Sequence, residues 1–210
     1  MQQLFRDLGV QQIVSGGQTM NPSTEDILHA AEQVPAMDVY VLPNNKNIVM
    51  AAEQAARLAR TSGVRHIHVV PTTTIPQGIS AMMAYDESAE IKDNVEAMQE
   101  AASRVQSGSV TFAARDSDYD GHQIKEGELL ALENGKVAFT GTDLGSVTAK
   151  VAKDLMQEDS QFITLLYGAD VSEEQAADVE EAVRSLLPEE VELTVAYGGQ
   201  PVYYFLISVE

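Results

Sequence analysis

The stretch DVYVLPNNKNIVMAAEQAARLARTSGVRHIHVVP, residues 38–71, decides the fold. Its two ends, DVYVLP and VRHIHVVP, are short valine-rich runs of the kind that form buried strands. Between them, NIVMAAEQAARLARTSG has the apolar spacing of an amphipathic helix and ends at Gly63. A strand, a helix and a second strand in this order are typical of a parallel sheet covered by helices.

The same alternation extends to both sides of this stretch. Before it, GVQQIVSGG predicts the end of a further strand, and residues 22–32 predict a helix. After it, PQGISAMMAY predicts a short helix, and residues 87–107 predict a longer helix that Gly108 closes. We therefore predict a parallel α/β subdomain over residues 1–86, with the boundary there or in the helix that follows.

The second part of the chain is richer in strands. Residues 87–210 contain five β-rich stretches, and one of them, ELLALENGKVAFTG, carries in its turn ENGK the Asn-Gly pair of a two-residue hairpin. Helices are predicted at about 143–157 and at 172–187, where Pro188 marks the stop. This part is predicted to be an α+β subdomain with a mixed or antiparallel sheet, and the two subdomains together form one α/β domain.

Composition excludes several classes of function. Thirteen basic residues against 32 acidic ones give a formal net charge of −19, which disfavours a surface for nucleic acid or anionic lipid. The sequence has no cysteine, so disulfides and thiolate chemistry are excluded. No apolar run reaches the roughly 18 residues of a membrane span, and the N-terminus lacks the features of a signal peptide. We therefore expect a cytoplasmic protein.

Three polar loops are predicted to meet at one edge of the parallel sheet. They are residues 16–23, 43–47 and 71–78, and each leads into a helix N-terminus, where free N–H groups favour anions. Ligands of open parallel sheets bind at the carboxyl ends of the strands. The predicted partner- or ligand-binding residues are Gly17, Gln18, Thr19, Asn21, Ser23, Asn44, Asn45, Lys46, Asn47, Thr72, Thr73 and Gln77.

These loops also have a purely structural interpretation. Asn21, Ser23, Asn44 or Asn45 could cap a helix, and the threonines could form turns. The loops contain no His, Asp or Glu, so no general base stands among them, and no catalytic residue is predicted. Lys46 is the one cation of the three loops and the best single candidate for an anion contact.

Two further patterns imitate metal sites. DSDYDG at 116–121 begins like a calcium-binding loop, but its twelfth position is Gly127 instead of a glutamate. A polar loop in an antiparallel hairpin is the preferred interpretation. HIH at 66–68 places two imidazoles on one face of a strand, which are too few ligands for zinc. We interpret His66 and His68 as partly buried strand histidines, and we predict no metal site in either pattern.

The segments SGGQTMNPST, VLPNNKNI, PTTTIPQGISAM and YGGQPVYYFLISVE resemble, in this order, the C-terminal region of the ATP-binding component of bacterial fatty acid kinase. Members of this family are also described as dihydroxyacetone-kinase-like or DAK2-domain-containing. The resemblance covers nearly the whole chain. It implies a DegV-like fold with a parallel α/β half and an α+β half, which agrees with the pattern described above.

The resemblance also implies a division of labour. In the family, an upstream kinase domain holds ATP and magnesium, and it phosphorylates a fatty acid carried by a separate DegV-like protein. This chain lacks that nucleotide site, so we expect no cofactor here and no catalysis by this part alone. The expected partners are the DegV-like fatty-acid-binding protein and the upstream domains, and a homodimer stays open. The alternative is a domain that binds lipid or a small anion in its own right.

Overall fold

The computed structural model describes residues 1–15, 21–119 and 122–210. The chain forms two compact units, an N-terminal unit of Gln2–Arg104 and a C-terminal unit of Val105–Glu210 that also includes Met1. The sequence predicts the division after residue 86, or in the next helix. In the structure that helix belongs to the N-terminal unit, because its Met98 and Ala102 share a buried cluster with Val70 and Ala81.

The N-terminal unit is built around two parallel strands. Their register runs from Asp38 opposite His66 to Val41 opposite Val69. The elements, in chain order, are α1 (Gln2–Asp7), α2 (Thr24–Gln33), β1 (Asp38–Val41), α3 (Lys46–Ser62), β2 (His66–Val69), α4 (Ile75–Met83) and α5 (Ile91–Arg104).

Side chains alternate between the two faces of this small sheet. Val39 and Ile67 pack on one face against buried residues of α2 and α3. Tyr40 and Val70 pack on the other face against residues of α4 and α5. The result is a helix–sheet–helix arrangement of three layers, as the strand–helix–strand pattern predicts.

The strand predicted in GVQQIVSGG is wrong for the residues that the structure describes. Gly9 has a φ of 92° and closes α1, and Val10 N–H donates to Phe5 O at 3.0 Å. Residues 11–15 then have no regular secondary structure and are mostly exposed. A run with nothing to bury its apolar side chains gains little from joining a sheet.

The C-terminal unit contains a six-stranded mixed sheet in the order β7-β6-β3-β10-β8-β9. All neighbouring pairs are antiparallel except β8 and β9. The elements are β3 (Gln106–Phe112), β4 (Ser117–Tyr119), β5 (His122–Ile124), β6 (Leu129–Glu133), β7 (Lys136–Gly141), α6 (Leu144–Leu155), β8 (Phe162–Tyr167), α7 (Glu173–Arg184), β9 (Glu192–Tyr197) and β10 (Tyr203–Val209).

Two local predictions for this unit have opposite outcomes. The Asn-Gly hairpin is confirmed, with φ of 48° at Asn134 and 77° at Gly135, the left-handed pair that a tight hairpin needs. Gly108, predicted to close a helix, instead lies inside β3. A Cβ there would lie 2.5 Å from Val151 Cγ1 of α6, so the absence of a side chain lets the helix pack closely on the strand.

Gly108→Ala tests this close approach. The added methyl would force Val151 and Leu155 of α6 away from β3, so we expect the free energy of unfolding to fall by about 1–3 kcal/mol. The measurement is urea unfolding followed by circular dichroism. Ala138→Ser, at an exposed position of β7, is the control and should change stability little. An unchanged midpoint in Gly108→Ala would contradict the packing described.

Candidate functional site

Two of the predicted polar loops are joined by hydrogen bonds. Asn44 follows β1, and Thr72 follows β2. The Asn44 N–H donates to Thr72 Oγ1 at 3.1 Å, and the Thr72 hydroxyl donates to Asn44 Oδ1 at 2.7 Å. Thr72 is only 1% exposed, so this pair is shielded from competing water. The carboxyl ends of both strands are therefore tied together.

Asn44 has an unusual backbone that suits this role. Its φ is 54°, in the left-handed region that asparagine tolerates better than most residues. Its side-chain amide lies against the first turn of α4, where a Cβ on Gly78 would be 2.0 Å from Asn44 Oδ1. Gly78 is thus required for the close approach of the Asn44 side chain.

The other polar side chains of these two loops cap helices. Asn45 Oδ1 accepts from Asn47 N–H at 2.9 Å at the start of α3. Thr74 Oγ1 accepts from Gln77 N–H at 3.3 Å at the start of α4. Gln77 Oε1 in turn accepts from Thr73 N–H at 2.8 Å and from its hydroxyl at 2.9 Å. Asn45 is therefore a helix cap, as the structural interpretation of the loops predicts. Thr73 and Gln77 also form hydrogen bonds with each other at the start of α4.

Lys46 and Asn47 remain available to an outside molecule. Both side chains are exposed in the first turn of α3. Lys46 makes no hydrogen bond or ion pair with the residues that the structure describes. We call Asn44, Asn45, Lys46, Asn47, Thr72, Thr73 and Gln77 together the polar edge. It offers an ammonium group beside a helix N-terminus, and none of its members is a carboxylate or an imidazole.

The first predicted loop is only partly described. Gly17, Gln18 and Thr19 lie outside the described residues. Ser23 caps α2 in a capping box, in which Asp26 N–H donates to Ser23 Oγ at 3.1 Å and Ser23 N–H donates to Asp26 Oδ2 at 2.8 Å. The hydrogen bonds from the Ser23 backbone and side chain lower the pKa of Asp26.

Asn21 lies on a different feature. It is exposed and lines an open cleft of about 530 Å³ together with Ile13, Asp26 and His29. Because the described residues before this loop form no strand, the rule that places loops at the carboxyl edge of a sheet applies only to the other two loops.

The carboxylate of Asp38 contacts both strand histidines. The sequence analysis did not predict this contact. Asp38 Oδ1 lies 3.2 Å from His66 Nδ1 and 2.8 Å from His68 Nε2. The hydrogen bond from His68 is the main cause that lowers the pKa of Asp38. The parallel register, with Asp38 opposite His66, brings the three together, and it is not visible in the sequence.

The described residues of the two metal-like patterns show no metal-site geometry, and Asp120 and Gly121 of the acidic run lie outside the described residues. Among residues 1–15, 21–119 and 122–210, no group of three or more His, Asp or Glu side chains could hold a metal ion. In the acidic run, Asp116 Oδ1 accepts from Glu126 N–H at 2.7 Å, and β4 pairs antiparallel with β5. The segment is thus a hairpin, as preferred above. No helix in the described part of the chain is long and apolar enough to span a membrane.

The family of FakA-like fatty acid kinase C-terminal domains matches residues 1–210. The chain belongs to this family. The Bacillus subtilis protein YloV is 40% identical over 207 residues, which are 99% of this chain and 36% of that protein. An uncharacterised protein of Staphylococcus haemolyticus is 43% identical over 208 residues. This chain spans 37% of the length of that protein, so it corresponds to little more than a third of such relatives.

Solved structures confirm the fold class. A DegV family protein of Corynebacterium glutamicum has a TM-score of 0.62 at 14% identity and covers 100% of this chain and 91% of its own. The Streptococcus pneumoniae fatty acid kinase B3 protein, loaded with linoleic acid, has a TM-score of 0.60 at 14% identity over 90% of this chain and 76% of its own. Dihydroxyacetone kinase from C. freundii has a TM-score of 0.68 at 16% identity, over 90% of this chain and 41% of the kinase chain. The fold of this family member is thus DegV-like.

Thr72→Val should weaken the link between the two loops. Valine keeps the shape but removes the hydroxyl, which leaves Asn44 N–H and Oδ1 without this partner. We expect the free energy of unfolding to fall by about 1–3 kcal/mol. Chemical denaturation measures it. Thr73→Val at the neighbouring exposed position is the control, because the Thr73 hydroxyl also donates a hydrogen bond, to Gln77 Oε1, but this bond is open to water and its loss should lower the free energy of unfolding by only about 0.5 kcal/mol. Equal effects of the two variants would contradict the role of Thr72.

Asp38→Asn should remove an acid-dependent part of the stability. Because the pKa of Asp38 is lowered in the folded state, its contribution is present above the unfolded value of about 3.9 and is lost as the pH falls through the folded pKa. The difference in unfolding free energy between wild type and Asp38→Asn should therefore shrink between about pH 4.5 and 2.5. Urea titrations at several pH values measure this difference.

A double-mutant comparison isolates the cause. In a His68→Ala background the main hydrogen bond to Asp38 is gone, so Asp38→Asn should show much less of this pH dependence. A difference that stays constant from about pH 4.5 to 2.5 in the presence of His68 would refute the assignment.

Proposed function

We propose that this chain is a non-catalytic domain of a fatty acid kinase component, and that it recognises or positions a fatty-acid-binding protein. Phosphorylation of the fatty acid carboxylate would use ATP and magnesium that are bound elsewhere in the longer protein. The partner would be a DegV-like protein of the same kind as the fatty acid kinase B3 protein, which holds linoleic acid. The family to which the chain belongs supports the first part of this proposal.

The construction of the polar edge carries the proposal for a positioning role. Thr72, Asn44 and Gly78 hold two helix N-termini in fixed positions. Lys46 and Asn47 are presented on this rigid base. The edge can bind and orient an acidic or polar group, but it contains no residue that could take a proton from a nucleophile at neutral pH.

A second candidate is a domain that itself binds a lipid or a small anion. The fold shared with a linoleic acid-loaded protein and the ammonium group at the start of α3 favour it. Native mass spectrometry of the purified chain separates the candidates. An added acyl mass would favour the second, and its absence would leave protein recognition as the better explanation.

The decisive experiment is isothermal titration calorimetry of this chain with a DegV-like fatty-acid-binding protein, both empty and acyl-loaded. We expect micromolar binding that Lys46→Ala weakens about three- to tenfold, through the loss of one cation at the contact. Arg60→Ala is the matched control, because Arg60 is an exposed cation at the other end of α3, roughly 21 Å away. It should leave the affinity unchanged.

The possible outcomes test two points separately, namely whether the chain recognises the partner and whether Lys46 lies in the contact. Binding that Lys46→Ala leaves unchanged would support recognition but exclude Lys46 from the contact. An absence of binding with both the empty and the loaded protein would overturn the proposed function.

A further inference from the structure

Aromatic side chains collect at one end of the six-stranded sheet. The parallel strands β8 and β9 end at Tyr167 and Tyr197, while β10 runs the opposite way and begins at Tyr203. β3 is also antiparallel to β10 and ends at Phe112, next to this point. These four residues together with Val202 are called the aromatic rim. Tyr197 is 62% exposed and Val202 is 46% exposed, although both side chains are largely apolar.

A ring contact and two hydrogen bonds fix the positions of the residues of the aromatic rim. The rings of Tyr167 and Tyr197 lie 5.2 Å apart across the parallel pair. Gln200 is 5% exposed, and its Nε2 donates to Leu166 O at 2.8 Å, which anchors the turn before β10. Thr111 Oγ1 donates to Val202 O at 2.7 Å. The exposed side chains therefore stand on an ordered base of buried hydrogen bonds.

Val202 has a backbone conformation that β-branched residues rarely adopt. Its φ is 73°, and Tyr203 N–H donates to Pro201 O at 2.8 Å across it. Such a conformation costs free energy that the surrounding contacts must offset. Gly199 in the same turn already takes a positive φ of 62°, so Val202 is a second left-handed position there, and it lacks the freedom of glycine. A branched apolar side chain that is kept exposed at this cost indicates a use for the side chain itself.

The surroundings of the aromatic rim are acidic. Residues 105–210 contain 20 Asp and Glu against six Lys and Arg, whereas residues 2–104 contain 12 against seven. Several of these carboxylates belong to segments that adjoin the same end of the sheet. Described acidic residues there are Asp116, Asp118, Glu126, Glu128, Asp143 and Asp170, and the basic ones are Arg115 and Lys125.

This charge selects among the occupants of the surface. A second copy of the chain would bring like charges together, and nucleic acid or anionic lipid would be repelled. A protein surface that combines Arg or Lys with apolar side chains is complementary, because cations also bind over tyrosine rings. Protein interfaces depend on a few aromatic anchors, and the members of the polar edge include none.

We propose that the aromatic rim is the main docking surface for the fatty-acid-binding protein, which contacts it through basic side chains around an apolar residue. This inference rests on the proposed function and names the surface that supplies most of the affinity.

Two variants test the aromatic rim by calorimetry with the empty and the acyl-loaded fatty-acid-binding protein. Tyr197→Ala should weaken binding about tenfold or more. Val202→Gly removes the exposed side chain and relieves the unfavourable backbone, so it should weaken binding while leaving the thermal stability equal or higher. A purely structural role for Val202 would not separate affinity from stability in this way.

Phe162→Ala is the matched control. Phe162 is 52% exposed and begins β8, the strand that ends at Tyr167, so it is an exposed aromatic residue at the opposite end of the same sheet. We expect no change in affinity. Because the contact pairs opposite charges, raising the salt concentration should also weaken wild-type binding.

The failures are distinguishable. Wild-type binding that Lys46→Ala weakens, but Tyr197→Ala and Val202→Gly do not, would overturn the inference and leave the proposed function standing. An absence of wild-type binding would overturn the proposed function and the inference with it. Loss of self-association in Tyr197→Ala, measured by sedimentation, with unchanged partner binding would assign the aromatic rim to a second copy of the chain and refute the inference.

Discussion

The hydrogen-bonded pair of Asn44 and Thr72 determines the geometry of the N-terminal unit at the carboxyl ends of its two strands. Two parallel strands alone make a small sheet, and their carboxyl ends could separate. The buried hydroxyl of Thr72 joins these ends, and the left-handed backbone of Asn44 turns the chain directly into α3. Since Gly78 allows the same amide to lie on α4, one side chain fixes the starts of both helices.

This arrangement limits the chemistry that the polar edge can perform. Asparagine, threonine and glutamine are good helix caps because their oxygens accept from free N–H groups. Each oxygen used in this way, as in Asn45 and Gln77, is less available to a ligand. A polar loop sequence therefore overstates the number of binding groups. Among the members of the polar edge, Lys46 and Asn47 remain as exposed side chains that are not used in these caps. A small, rigid set of this kind suits positioning better than catalysis.

The sequence predicts elements well where local chemistry decides them. The helix of residues 46–62 ends at Gly63 in the left-handed conformation, and the Asn-Gly pair forms its hairpin. It fails where tertiary packing decides. A glycine after a helical pattern usually marks the end of the helix. In the structure, however, Gly108 is the point at which α6 approaches β3. The apolar run before residue 16 resembles a strand, yet its described residues have no partner strand to join.

The candidate sites show the same division. The caps formed by Ser23 and Asn45 follow local rules that the sequence reveals. The link between Asp38 and the two histidines depends on the register of two strands, which is a tertiary property. Val202 is the extreme case: Gly199 in the same turn has a φ of 62°, as local rules expect of glycine, but Val202 has a φ of 73°, which no local rule assigns to a β-branched residue. A residue that defies local preference is retained by contacts or by function. Because Val202 is 46% exposed, part of its side chain has no contact inside the protein, and this supports the proposal of an external partner.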